Sequence, residues 1–186
     1  GRRRFSLGHE LAHWICDRAR GSFLCANDDI GPQNAEAKHV EALANSYASQ
    51  LILPDYLVQS WIQGKPISLD TASALRKDFN ASLTAAAIKL AKRASQPAWV
   101  ACHGQCKLHW FVKNRAFPTD IYVSRELHQD TDAFSIVFGG MSGMGRPKRE
   151  PANRWLTGSG VYRMTVQSQS LGLPDSAALT LIALVN

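Results

Sequence analysis

The sequence predicts an α+β protein with a helical N-terminal half and a strand-rich C-terminal half. Up to about residue 94, apolar residues recur at helical spacing. Pro97 marks a change in composition, and short apolar runs separated by turn residues follow it. The chain has 186 residues, 45% of them apolar, which is enough for one sizeable core or two small ones. We therefore expect one domain over residues 1–96 and a second over residues 97–186.

The first predicted helix carries Gly8-His9-Glu10-Leu11-Ala12-His13, an HExxH motif. His9 and His13 are four residues apart, so both imidazoles project from one side of a helix. Two such imidazoles can share one Zn²⁺ ion at about 2.0–2.1 Å each, and Glu10 is placed to take a proton from a water molecule at the open position. Ser6 is the expected N-cap. The apolar stripe that we expect this helix to bury consists of Leu7, Leu11, Trp14 and Ile15.

A second predicted helix begins at its cap, Asn34, and ends at Pro54. Its polar side carries Glu41 and, four residues later, Asn45. A carboxylate from a second helix completes a His₂Glu zinc site and leaves one position for water or substrate. Asn45 is placed to hydrogen-bond a liganding imidazole and to fix its tautomer. Glu36 and His39 are competing ligands without such a partner, and exposed helix residues are the favoured interpretation of both. The buried stripe is expected to contain Val40, Leu43, Ala44, Tyr47, Ala48 and Leu51.

Two linked segments make the chain resemble the ImmA/IrrE family of bacterial metallopeptidases. They are Arg4-Phe5-Ser6-Leu7-Gly8-His9-Glu10-Leu11-Ala12-His13 and the run from Glu41 to Pro54, against the family patterns R-x-x-LAHELGH and E-x-x-AN-x-FA-x-x-LLMP. The resemblance covers residues 2–54 and implies a gluzincin-like zinc site, with His9, His13 and Glu41 as ligands and Glu10 as base. The departures are Gly8, Ala12, Tyr47 and Leu53, and none of them is a ligand. Family members have strands and a helix before the motif, which we expect to be missing from this chain.

The resemblance also implies a regulatory function. Family members cleave, or otherwise inactivate, a helix-turn-helix repressor in a stress or mobile-element response. We therefore expect a zinc endopeptidase whose protein substrate is an XRE-type repressor, and the alternative is a zinc-holding regulator that sequesters the repressor without cleavage. Spacing does not choose an oxyanion donor among His39, Tyr47 and Tyr56. Mn²⁺ or Fe²⁺ can also occupy a nitrogen/oxygen site of this kind.

Composition limits the location and the partners. No run of about 18 apolar residues and no signal peptide is found, so we expect no membrane association. The four cysteines, Cys16, Cys25, Cys102 and Cys106, show no secreted disulfide framework, and cytoplasmic thiols are the expectation. The net charge of +6 suits an acidic partner or nucleic acid.

Residues 55–64 are predicted to form a short helix, and two further helices, 69–79 and 83–94, are expected to follow the N-caps Ser68 and Ser82. Residues 68–94 therefore resemble a helix-turn-helix unit. A reading helix needs polar residues at its start, and Leu83-Thr84-Ala85 offers only Thr84. A packing unit is therefore favoured, direct nucleic-acid binding is not expected, and a transcription-factor function ranks last.

The C-terminal half is predicted to contain strands at 99–102, 107–112, 121–124, 134–138, 160–168 and 179–185, with a helix at 125–132. Cys102, His103, Cys106 and His109 suggest a second metal site, but two strands about a tight turn at Gly104 are favoured. The glycine-rich run 139–145 lacks the Lys-Ser/Thr pair of a P-loop, so a flexible connector is favoured. In some relatives the C-terminal domain is a GAF-like sensor, and we expect a sensor or interaction domain here.

Overall fold

Helices occupy the N-terminal half of the computed structural model, which describes residues 2–17, 35–105 and 107–185. They are α1 (Arg2–Asp17), α2 (Ala35–Ile52), α3 (Asp55–Ile62), α4 (Leu69–Asp78) and α5 (Leu83–Arg93). Asn34, Cys25 and Cys106 lie outside the described residues, as do the side chains of Cys16 and Glu36. None of the helices in the described residues is both long and apolar enough to cross a membrane.

Serine side chains begin two of these helices as predicted. The Ser68 hydroxyl accepts a hydrogen bond from the backbone N–H of Thr71 at 3.1 Å, and Ser82 accepts one from Ala85 at 3.1 Å. Each side chain thereby satisfies a backbone donor that has no partner within its helix. The predicted cap Ser6 is wrong, because α1 already begins at Arg2. Arginine favours the helix and nothing in the described residues before Ser6 interrupts it.

Seven strands, one α-helix and two short 3₁₀ helices form the C-terminal half of the described chain. The strands are β1 (Ala98–His103), β2 (Leu108–Lys113), β3 (Ile121–Val123), β4 (Lys148–Pro151), β5 (Leu156–Gly158), β6 (Thr165–Leu173) and β7 (Ala177–Val185). The helix α6 (Asp132–Gly139) lies between β3 and β4. Five strands form an antiparallel sheet in the order β2-β1-β7-β6-β4, and β3 pairs with β5. The α+β fold class is therefore confirmed, and the GAF-like assignment stays a prediction.

Three predictions in this half are wrong. Residues 134–138 belong to α6 instead of a strand, because Thr131 caps a helix there and Ala133, Ile136 and Val137 are buried at helical spacing. A short apolar run does not distinguish the two structures by itself. The predicted helix 125–132 is not formed, because residues 125–131 are bends and a turn and α6 begins only at Asp132. The predicted strand 160–168 begins as the 3₁₀ helix Val161–Arg163, and its strand, β6, starts at Thr165.

The sheet separates two hydrophobic cores. On one face Val100, Leu179 and Leu181 pack with buried residues of α3, α4 and α5. On the other face Trp99 and Ile182 pack with α6, β3 and β5. This division follows from the alternation of side chains along each strand. The first core joins helices before residue 97 to strands after it, and the division into two domains stays a prediction.

Candidate metal centre

Small residues form the contact between α1 and α2. Gly8, Ala12, Ala44 and Ala48 are buried, and a Cβ atom at position 8 would lie 3.4 Å from the Cα of Ala48. The two helices can therefore approach closely along this line. The large apolar side chains of α1 lie elsewhere, and the prediction that they form a buried stripe is wrong. Their exposed fractions are 71% for Leu7, 41% for Leu11, 47% for Trp14 and 55% for Ile15.

The buried stripe predicted for α2 is only partly correct. Ala44 and Ala48 are buried, and Val40 is half-buried. The larger members, Leu43, Tyr47 and Leu51, are exposed. The physical reason is the same on both helices, because the faces that meet are those with the smallest side chains.

The close contact brings His9, His13 and Glu41 together. The Nε2 atoms of the two imidazoles are 3.0 Å apart. One carboxylate oxygen of Glu41 lies 3.4 Å from His9 Nε2, and the other lies 3.2 Å from His13 Nε2. The two histidines are half-buried, whereas the Glu41 side chain is 54% exposed. Two nitrogen donors and one oxygen donor thus converge at an edge of the helix pair that is open to solvent.

These distances fit a divalent cation. Bonds of about 2.0–2.2 Å at tetrahedral angles separate neighbouring ligand atoms by about 3.3–3.6 Å, which is close to the three observed contacts. The donor set of two imidazoles and one carboxylate is that of a catalytic zinc site, and Mn²⁺ or Fe²⁺ accept the same donors. Among the described residues, no other group of His, Cys, Asp and Glu side chains converges in this way. The assignment of the three residues as ligands stays a prediction that their geometry supports.

Glu10 follows His9 on α1, and its side chain is exposed. No described residue makes a hydrogen bond or an ion pair with its carboxylate. The group is therefore available to a water molecule or to a substrate.

The other predicted site residues are not brought into contact with this centre. Asn45 is exposed and hydrogen-bonds neither imidazole, and the buried Nδ1 of His9 has no hydrogen-bond partner among the described residues. At about 100° per residue, His39 and Tyr47 project from sides of α2 that lie away from Glu41. Tyr56 is on α3 and is 74% exposed. The structure therefore singles out no oxyanion donor.

The second metal site suggested by the sequence lies around Gly104, where the described residues have the features of a hairpin. Gly104 donates a backbone hydrogen bond to the carbonyl of Lys107, and it packs so closely against the His109 imidazole that a Cβ atom would force the ring to move. Burial raises the pKa of the Cys102 thiol, which disfavours the thiolate that a metal requires. Burial also lowers the pKa of His103. The positive charge of a protonated His109 nearby would lower it further, and a backbone hydrogen bond with Ser124 partly offsets these two effects.

Among the described residues, Phe5 makes a contact with the centre that the motif did not indicate. Its ring stacks on the His9 imidazole with centroids 6.4 Å apart and an angle of 28° between the planes. Its position one turn before His9 is the sequence signal that points to this contact.

Comparison with known proteins places the N-terminal half in a family. The protein-family model for the IrrE N-terminal-like domain, Peptidase_M78, matches residues 1–91, which include α1 to α4 and most of α5. No curated protein matches the chain. Residues 1–91, which carry His9, Glu10, His13 and Glu41, thus match the IrrE N-terminal-like domain of a metallopeptidase family, and the ImmA/IrrE resemblance is confirmed over this part of the chain.

Proposed function

We propose that the chain is a zinc-dependent endopeptidase of regulatory type that cleaves an XRE-type transcriptional repressor. The observation that carries the proposal is the convergence of two imidazole nitrogens and one carboxylate from two helices. Glu10, next to His9 in the sequence, has a carboxylate that none of the described residues engages. A structural zinc site usually has four protein ligands, whereas three leave a position for chemistry. The match of residues 1–91 to a metallopeptidase family supports the same conclusion.

In this mechanism His9, His13 and Glu41 hold the ion. When bound, a divalent ion supplies Lewis acidity, which polarises the scissile carbonyl and lowers the pKa of water. Glu10 takes a proton from the attacking water while the water oxygen bonds to the carbonyl carbon. Glu10 then passes that proton to the amide nitrogen as the C–N bond breaks, so that the amine leaves neutral. The exposed side of Glu41 is where a polypeptide can approach.

The repressor as substrate comes from the ImmA/IrrE resemblance, and a cytoplasmic location goes with it because a DNA-bound repressor is found there. The net charge of +6 would favour association with an acidic surface of the partner. Direct DNA binding by α4 and α5 is not part of the proposal. Thr84 and Ala85, at the start of α5, face Phe5 of α1 and Ile52 of α2 across a cavity, so this end is not free to enter a major groove.

The test combines metal analysis with mass spectrometry of a purified XRE-type repressor from the same organism. We expect the wild type to hold about one equivalent of zinc and to release repressor fragments, and a chelator should stop the release. Glu10→Gln should keep the metal and lose cleavage by at least about 100-fold, because general-base catalysis contributes about 10²–10⁴. Glu126→Gln is the matched control, since this exposed glutamate lies on the loop after β3.

Two results would contradict the proposal. Fragments released by Glu10→Gln at the wild-type rate would show that Glu10 is not the base. A stoichiometric complex with an intact repressor, in the presence of bound zinc, would favour sequestration over cleavage.

A further inference from the structure

A cavity of about 360 Å³ lies where α1, α2 and α5 meet. Most of the lining is apolar, with Phe5 on one side and Ile52, Ala85 and Ile88 among the other apolar residues. The polar residues that line it carry hydroxyl groups: Ser6, Ser49, Ser82 and Thr84. The volume lies in the range of about 300–1,000 Å³ that is typical of ligand pockets. Ile52, Ala85 and Ile88 also border the main hydrophobic core while remaining partly exposed, so the floor of the cavity is fixed by the fold.

The cavity adjoins the candidate metal centre through Phe5. The Phe5 ring lines the cavity and also stacks on the His9 imidazole. Phe5 is one turn from His9, or about 6 Å along the helix, and Ser49 is eight residues from Glu41, or about 12 Å. An extended polypeptide advances about 3.3 Å per residue. A side chain in the cavity would therefore be about two to four residues away from a peptide bond at the metal centre.

We propose that this cavity is the specificity subsite of the peptidase and takes one leucine-sized apolar side chain of the polypeptide substrate. The inference rests on the proposed function and adds to it the class of side chain and its distance from the cleaved bond. None of the described residues that line the cavity is charged. A charged side chain there would lose its hydration without gaining an opposite charge, whereas an apolar one would gain from leaving water. The continuity with the metal centre favours a substrate side chain over an unrelated small molecule.

A positional series of peptides tests the placement. The zinc-loaded chain is incubated with blocked ten-residue alanine peptides that carry a single leucine at successive positions, and the products are identified by mass spectrometry. We expect the cleaved bond to move with the leucine at a constant offset of about two to four residues. The all-alanine peptide should be cut about 10- to 100-fold more slowly. Cleavage that ignores the leucine would overturn the subsite and leave the proposed function in place.

Binding is measured separately from turnover, so that the two proposals can fail independently. In zinc-loaded Glu10→Gln with labelled isoleucine methyl groups, the leucine peptides should shift the Ile52 and Ile88 signals saturably, and the all-alanine peptide should not. The absence of such shifts would overturn the subsite. Shifts without hydrolysis by the wild type would overturn the proposed function and leave a peptide-binding pocket. Shifts on concentrating the protein alone would assign the cavity to a second copy of the chain and also overturn the subsite.

Variants that fill the cavity complete the test. Ala85→Leu fills it from α5 and Ser49→Leu fills it from α2, and both should lose the methyl response and the preference for leucine while keeping the metal. Ala116→Leu is the matched control, because Ala116 is exposed on the loop after β2, and it should behave as the wild type does. An unfolding curve shows whether each variant is folded. If one of them misfolds, the other still tests the inference. A preference for leucine that survives in both folded variants would overturn the inference.

Discussion

Asp55→Asn should destabilise the protein because Asp55 ties the end of α2 to α5. One carboxylate oxygen accepts hydrogen bonds from Lys89 Nζ at 2.7 Å and from Arg93 Nε at 2.9 Å. The other accepts from Gln50 and from a second nitrogen of Arg93. The Asp55 backbone N–H in turn donates to the Gln50 side-chain oxygen at 3.0 Å. The network thus joins the helix that carries Glu41 to the helix that lines the cavity.

The expected loss follows from the burial of the partners. The Lys89 side chain is 6% exposed and the Asp55 side chain 27% exposed. Breaking a fully buried ion pair costs about 3–5 kcal/mol, because one charge is left without a partner. The exposed Arg93 adds at most about 1 kcal/mol, and the remaining exposure of Asp55 reduces the main effect. We expect a decrease of about 2–3 kcal/mol in the free energy of unfolding at pH 7.

Urea denaturation of the wild type, Asp55→Asn, Lys89→Met and the double variant measures this loss and the coupling between the two residues. Burial opposes ionisation of Asp55, but the hydrogen bonds from Lys89, Gln50 and Arg93 outweigh it and hold the pKa of the carboxyl below its usual 3.8. Because the folded-state pKa is the lower one, the stabilisation is complete above the unfolded value and is lost as the pH falls through the folded one. The difference between wild type and Asp55→Asn should therefore be constant above about pH 5 and shrink below about pH 4.

Asp120→Asn is the control, since this exposed aspartate makes no ion pair or side-chain hydrogen bond with any described residue. A loss below about 0.5 kcal/mol for Asp55→Asn would refute the account of the network. Strictly additive effects of Asp55→Asn and Lys89→Met would refute the direct coupling between them.

Three further predictions follow from other parts of the molecule. Glu41→Gln should weaken zinc binding by more than about 100-fold in a chelator competition, because even partners of ligands contribute about 10–100-fold; an unchanged affinity would exclude Glu41 as a ligand. Burial lowers the folded-state pKa of His103 below its usual 6.5. Between about pH 6.5 and that lower folded-state pKa, the His103 imidazole is therefore protonated in the unfolded chain and neutral in the folded one. Urea denaturation should show the free energy of unfolding falling as the pH is lowered from 7 towards that folded-state pKa. If His103→Asn shows the same dependence of this free energy on pH, the decrease does not come from His103. Ser82→Ala should cost about 1 kcal/mol of stability by removing the cap of α5, and a cost near zero would mean that water replaces it.

Short-range patterns in the sequence were sufficient to predict how His9 and His13 are placed on α1 and where α4 and α5 begin. The four-residue spacing of His9 and His13 fixes their common side on any helix, and Ser68 and Ser82 act on backbone groups within three residues. These features depend on short-range geometry alone. The strand-like run 134–138 shows the limit, because the choice between strand and helix there is made by the packing of α6 against the sheet. β4 was also not predicted, since Lys148-Arg149-Glu150-Pro151 has the composition of an exposed segment and pairs only at the edge, with β6.

Glu41 reaches the two imidazoles through the contact between α1 and α2, and the pattern of large apolar residues predicts the wrong face of α1 for this contact. Large apolar residues define a face on α1, but the face that meets α2 is the one with Gly8 and Ala12, opposite Ala44 and Ala48. Side chains this small let two helices approach to the short end of the usual range of about 8–10 Å between axes. A longer separation would hold the Glu41 carboxylate beyond the reach of an ion bound to His9 and His13. The four-residue spacing of small residues on both helices, more than the pattern of large ones, is therefore the sequence signal for the third ligand. The cavity beside Phe5 has no comparable signal, because its walls come from three helices whose arrangement only the tertiary fold determines.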